Sequence, residues 1–145
     1  MDDIKRQNFK ASHPEVVFPQ VRHLQPHECD QVRTEIAVKL NLPTKSSHLE
    51  LLKEIDYRAH EVIGFRPSNK TFSLVAVLKE LQINATALYI NWQQFDDIDE
   101  ITVSDLDRWF HDFWYPDSDD LELFDSSLNW ILLIKHFDVI KMLKT

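Results

Sequence analysis

Glycine occurs once in the 145 residues, at Gly64, where about ten would be usual for this length. Phosphate-cradling loops need several glycines so that backbone amides can approach the ligand, and neither a Walker loop nor a dinucleotide fingerprint can be written with one. Nucleotide-dependent chemistry of those kinds is excluded. Cysteine is also single: Cys29 has no internal partner for a disulfide and lies in an apolar helical pattern, as expected of a buried structural thiol in a reducing compartment. No apolar run approaches the 18 or so residues of a membrane span, and "MDDIKRQNFKASHPEVV" lacks the apolar core of a secretory signal. These absences predict a cytoplasmic protein with no membrane association.

Basic residues are missing from one segment. Residues 96–125 hold twelve acidic side chains and one basic, Arg108, whereas residues 1–95 hold eleven acids and twelve bases and residues 126–145 one acid and three bases. The overall charge of −8 is therefore concentrated in thirty residues that carry −11. Such a segment repels phosphates, so direct nucleic-acid binding through it is disfavoured.

A hydrophobic content of 43% over this length supports one domain spanning 1–145. Residues 1–25, punctuated by Pro14 and Pro19, read as an N-terminal arm with a short strand near Val16–Phe18. The spacing of Cys29, Val32, Ile36 and Leu40 predicts a helix over about 27–40, closed by Asn41 and Pro43. Ser47 and Glu50 have the spacing of a capping box, and Leu49, Leu52, Ile55, Ala59 and Val62 extend a second helix to Gly64. A third helix places Leu74, Val75, Leu78 and Leu81 inward. The period then changes: "ATALYINW" alternates as a strand, "TVSDLDRWFHDFW" returns to helical spacing, and the apolar runs 130–134 and 139–143 read as a hairpin, a terminal helix fitting the second run nearly as well. The expected class is α+β, with N-terminal helices followed by an antiparallel sheet of three or four strands and an inserted helix.

Sharp readings of the acidic run meet specific objections. "DSDDLE" has neither the alternate ligand spacing nor the turn glycine of a helix–loop–helix calcium site. Among the histidines only His23 and His27 stand four apart, with Pro26 between them, which opposes a zinc site on a shared helical face. Hydrolysis by paired carboxylates, using Asp112 or Asp125, would find Arg108 as the segment's sole cationic stabiliser. The expectation is a non-enzyme without cofactor or metal. Carboxylates interleaved with aromatic rings fit a surface for a basic protein. Asp97, Asp99 and Glu100 form one acidic cluster, and Asp117, Asp119, Asp120, Glu122 and Asp125 a second. Trp114 and Tyr115, beside Pro116, are the expected half-exposed anchors. An acidic adaptor or regulatory subunit for some other basic protein fits the same features, and a small metal-dependent hydrolase fits them less well.

The phrases "YINWQQF", "DDIDE" and "WYPDSDDLELFDSSLNWILLIKH" together resemble the small acidic cytoplasmic immunity proteins that protect bacteria from polymorphic toxins, including those of contact-dependent growth inhibition systems. The likeness covers about residues 86–145. It implies a non-catalytic inhibitor that binds a basic toxin domain, often a nuclease, and blocks it. A nuclease must be basic to hold phosphates, so an acidic surface can occupy its active site in place of nucleic acid.

Overall fold

A computed structural model describes residues 1–92 and 95–145; Gln93 and Gln94 of the "YINWQQF" phrase lie outside the described residues. The architecture is α+β. In chain order the elements are α1 (Asp3–Ser12), β1 (Arg22–His23), α2 (Pro26–Lys39), α3 (His48–Arg58), β2 (His60–Glu61), α4 (Leu74–Glu80), β3 (Ala87–Asn91), β4 (Ile98–Thr102), α5 (Val103–Arg108), α6 (Phe110–Phe113), β5 (Leu121–Phe124), β6 (Trp130–Lys135) and β7 (Val139–Lys144). The strands form one antiparallel sheet in the order β1-β4-β3-β5-β6-β7-β2. It has seven strands rather than three or four, and helices are interspersed with strands rather than gathered at the N-terminus.

Two of the extra strands, β1 and β2, are two residues long, and the other two lie in the acidic segment: "IDEIT" forms β4 and "LELF" forms β5, although Asp and, less strongly, Glu are depleted in sheets. The second predicted helix stops at Arg58, where the chain turns extended at Ala59 and His60–Glu61 pairs with β7. Residues 1–25 correct the expectation of an arm: they contain α1, capped by Asp2 accepting from Lys5 N at 2.8 Å, and the strand lies at Arg22–His23 rather than at 16–18. The predicted helix over 102–114 is two short ones, broken where Trp109 leaves helical geometry.

Side chains alternate across β6, so Trp130, Leu132 and Ile134 face one side and Ile131 and Leu133 the other. The first side packs against Phe9 of α1, Leu74, Val77 and Leu78 of α4, Leu106 of α5, and Phe110 and Phe113 of α6. The second packs against Cys29, Val32, Ile36 and Ala37 of α2 and Leu51 and Ile55 of α3. The sheet is thus covered on both faces. That explains why β6 reads as a continuous apolar run instead of an alternating one.

With a single glycine, left-handed turn positions fall to other residues. Asn41, Asp117 and Asp138 tolerate positive φ, whereas Gln82, Phe95 and Leu128 adopt it at a cost of roughly 1–2 kcal/mol each. Phe95 is held there because its amide donates to Asn91 Oδ1 at 2.7 Å and its ring is buried. Among the described residues no helix is long and apolar enough to cross a membrane.

Candidate functional site

The acidic segment is largely consumed by the fold itself. Asp105 and Asp107 serve helix starts, with Asp107 accepting from Ser73 Oγ and Val75 N at 3.0 Å each, which caps α4. Asp112 meets His13 Nε2 at 2.9 Å. Asp125 accepts from Ser127 N at 2.9 Å and from the Trp130 indole at 3.1 Å, fixing the turn before β6. Glu100 on β4 accepts from Arg22 Nε at 2.6 Å on its neighbour β1, while Arg22 also reaches Glu28 at 2.8 Å. Those two carboxylates raise the Arg22 pKa, and the Gln25 amide followed by Arg22 lowers that of Glu28.

Asp99 points to the α1 side of the sheet and is fully buried. It accepts from the Trp92 indole at 2.9 Å, lies 3.1 Å from His23 Nδ1, and pairs with the amino group of Met1. Asp97, more exposed, lies 3.4 Å from the same amino group and 3.7 Å from His23. His23, Asp97 and Asp99 offer ligand atoms within 4.8 Å of one another, a spacing open to a metal ion. The Met1 amino group already answers their charge in this arrangement.

Two expected surface residues are interior. Trp114 is completely buried, because the end of α6 turns the ring inward to stack on Phe110 at 5.6 Å while its indole donates to the Asp119 carbonyl at 2.9 Å. It is a core residue rather than a half-exposed anchor. Glu122 lies within β5, only 2% exposed, facing the α3 side and accepting from Asn91 Nδ2 at 2.7 Å. Burial pushes its carboxyl up to about 7, against the opposing effects of Asn91 and Lys135. Tyr115 is half-buried: Lys5 Nζ sits 3.8 Å above its ring and Asn8 donates to its hydroxyl at 3.1 Å.

What remains of the predicted clusters converges at one end of the sheet. Asp97 from the start of β4 and Asp119 and Asp120 from the loop before β5 line a concavity of about 250 Å³ together with Asp2, Lys5 and Trp92. The Met1 amino group and Lys135 meet Asp97 and Asp120 from outside the lining, and within it four carboxylates face one ammonium. That ammonium is itself committed, since Lys5 is buried and pairs with Asp119, whose carboxylate also accepts from the Tyr115 amide at 2.9 Å. Asp120 accepts from Lys135 at 3.0 Å and from the His136 backbone amide at 2.7 Å; these contacts outweigh burial and lower its pKa. Asp96 and Asp117, chain neighbours of the lining, are exposed and make no side-chain hydrogen bond among the described residues. Sequence reasoning missed Asp2 and Lys5 because α1 was not expected. The signal available was the N-cap Asp2 ahead of "IKRQNF".

No family model matches the chain, and no curated protein or solved structure matches it.

Proposed function

We propose that the protein is a non-catalytic immunity protein that binds and neutralises a basic toxin domain, a nuclease being the fitting class, in the cytosol of the cell it protects. The observation that carries this reading is the convergence of Asp2, Asp97, Asp119 and Asp120 on one concavity, with the exposed Asp96 and Asp117 adjoining it in the chain. Carboxylates prepositioned around a hollow can accept a lysine or arginine side chain, and a nuclease surface offers such side chains where it holds phosphate. Their field also speeds encounter, which suits an inhibitor that must act before its target turns over.

Fixed carboxylates suit binding better than turnover. Asp119 and Asp120 are held by several donors each, so little reorganisation is needed when a cationic side chain arrives. The test is co-expression with a basic nuclease toxin domain, taken from a reading frame adjoining the gene where one is found, followed by size-exclusion chromatography and a growth-protection assay. The reading expects a stable complex and protection. It also expects weakened association when Asp96, Asp97 and Asp117 are replaced together by Asn, in a variant whose unfolding curve is unchanged. A complex and protection that survive this neutralisation unaltered would remove the acidic concavity from the function.

A further inference from the structure

A second cleft opens on the opposite face of the sheet, between α3 and strands β5 and β6. It has a volume of about 420 Å³ and shares Asp120 with the acidic concavity, so the two hollows meet at the same end of the strands. Leu49 and Leu52 of α3 give it an apolar wall, and Leu49 is 58% exposed despite a helical position that the sequence pattern assigned to the core. Glu122 lines the cleft. Its Oε2 takes the Asn91 amide, whereas Oε1 has no hydrogen-bond partner among the described residues. No fully buried side-chain oxygen or nitrogen is left unpaired among those residues, so Oε1 reaches the open space of the cleft.

The charges around Glu122 decide what it can receive. From α3 come Asp56 and, at the exposed mouth, His48 and Lys53; from the loop before β5 comes Asp120; from β6 and β7 come Lys135 and Lys141. Lys135 is bound to Asp120 at 3.0 Å and lies 3.5 Å from Asp56, and Lys141 is bound to Asp56 at 3.0 Å and to the Asp56 carbonyl at 2.8 Å. Lys135 and Lys141 are thus occupied by other carboxylates and neither makes a hydrogen bond to Glu122, while Lys53 stands exposed at the mouth. An anion entering the cleft would meet the carboxylates of Asp56 and Asp120. A cation would find an acceptor already oriented by Asn91.

We propose that this cleft is a binding site for a guanidinium or primary ammonium group on an aliphatic stem, with the head group donating to Glu122 Oε1 and the stem lying along Leu49 and Leu52. A side chain of a partner polypeptide and a free small amine share this chemistry. The site does not depend on the immunity reading.

The experiment titrates n-butylguanidinium, and separately a blocked tripeptide with a central arginine, into the full-length protein at pH 6 and follows amide shifts by NMR. Fragments of this size bind at roughly 1–10 mM when the site is well formed. Saturable shifts in α3 and β5 are expected, with one proton released per cation bound as Glu122 ionises. Glu122→Gln should weaken binding about tenfold and abolish proton release, whereas Glu15→Gln, at an exposed position outside the cleft, should leave both unchanged. Binding of the peptide assigns the site to a polypeptide side chain; binding of n-butylguanidinium alone assigns it to a free cation; either supports the site. Because Glu122→Gln could disturb the sheet, Leu49→Ser is a second variant at an exposed position, expected to weaken binding without altering the unfolding curve. The absence of saturable shifts from both probes, or shifts unchanged by Glu122→Gln and Leu49→Ser, would overturn the proposal.

Discussion

Glu122 carries its burial into the pH dependence of folding. Its carboxyl holds a proton to about pH 7 in the folded chain, against an ordinary value of 4.5. Between those values the folded state binds more protons than the unfolded one, so stability falls as pH rises through that window, by roughly 3 kcal/mol for a shift of this size. Glu122→Gln should remove this slope. Urea unfolding from pH 4.5 to 8 is expected to show the parent losing stability relative to the variant; parallel profiles would contradict the assignment. Trp114 is a residue-scale case of a different kind. Its ring is buried, so Trp114→Ala should cost roughly 3–5 kcal/mol in the isolated protein. An unfolding curve that hardly moves would return Trp114 to the surface. Asp117 and Asp119, two positions apart, should respond differently. Asp117→Asn leaves an exposed residue with suitable backbone tolerance and should be near neutral. Asp119→Asn strips the buried Lys5 of its counter-charge and should cost roughly 1–3 kcal/mol. Relief of repulsion alone would make both changes neutral or stabilising.

At the scale of elements, α1 matters most because it converts an acidic segment into a structured hollow. Its Phe9 packs edge-on against Trp109 at 5.0 Å and Phe18 at 5.1 Å, and its Lys5 reaches across to Asp119. Phe9→Ala should cost roughly 3–5 kcal/mol, measured by denaturant titration. A loss below about 1 kcal/mol would mean that α1 is not docked as described. The helix was hidden in the sequence because Phe9 is its one fully buried apolar residue and the stripe needed to announce a helix is absent. By contrast, α2 was legible, since Cys29, Val32, Ile36 and Leu40 recur at helical spacing and all are buried. In α3 the capping box was legible and so was part of the face: Ile55 and Ala59 turn inward as the stripe implies, whereas Leu51 is buried in place of the exposed Leu49. Asp99 and Glu122 concealed β4 and β5, because each sits buried in a strand with partners distant in sequence: His23 and Met1 for Asp99, beside the nearer Trp92, and Asn91 for Glu122. Periodicity reports which face of an element is apolar. It says nothing of a carboxylate whose partner is 31 or more residues away.

For the whole molecule, folding redistributes charge that the sequence had segregated. Arg22, Lys5 and His13 come from the N-terminal portion to meet Glu100, Asp119 and Asp112, and Lys135 from the C-terminal hairpin meets Asp120. The candidate site was therefore legible as a region and not as a constellation. Asp97, Asp119 and Asp120 do converge, Trp114 and Glu122 go inward, and Asp2 and Lys5 enter from an element the sequence did not announce. The residual charge of −8 still gives long-range attraction for a basic partner. Under the proposed function this field, focused at the concavity, drives capture of a basic toxin domain. The most direct measurement is the association rate constant with that domain in stopped flow between low and physiological ionic strength, where screening shortens to about 8 Å. The account predicts a rate that falls about tenfold or more across this range in the parent, with the slope largely lost when Asp96, Asp97 and Asp117 are replaced by Asn. A rate indifferent to salt, or a slope unchanged in that folded triple variant, would contradict it.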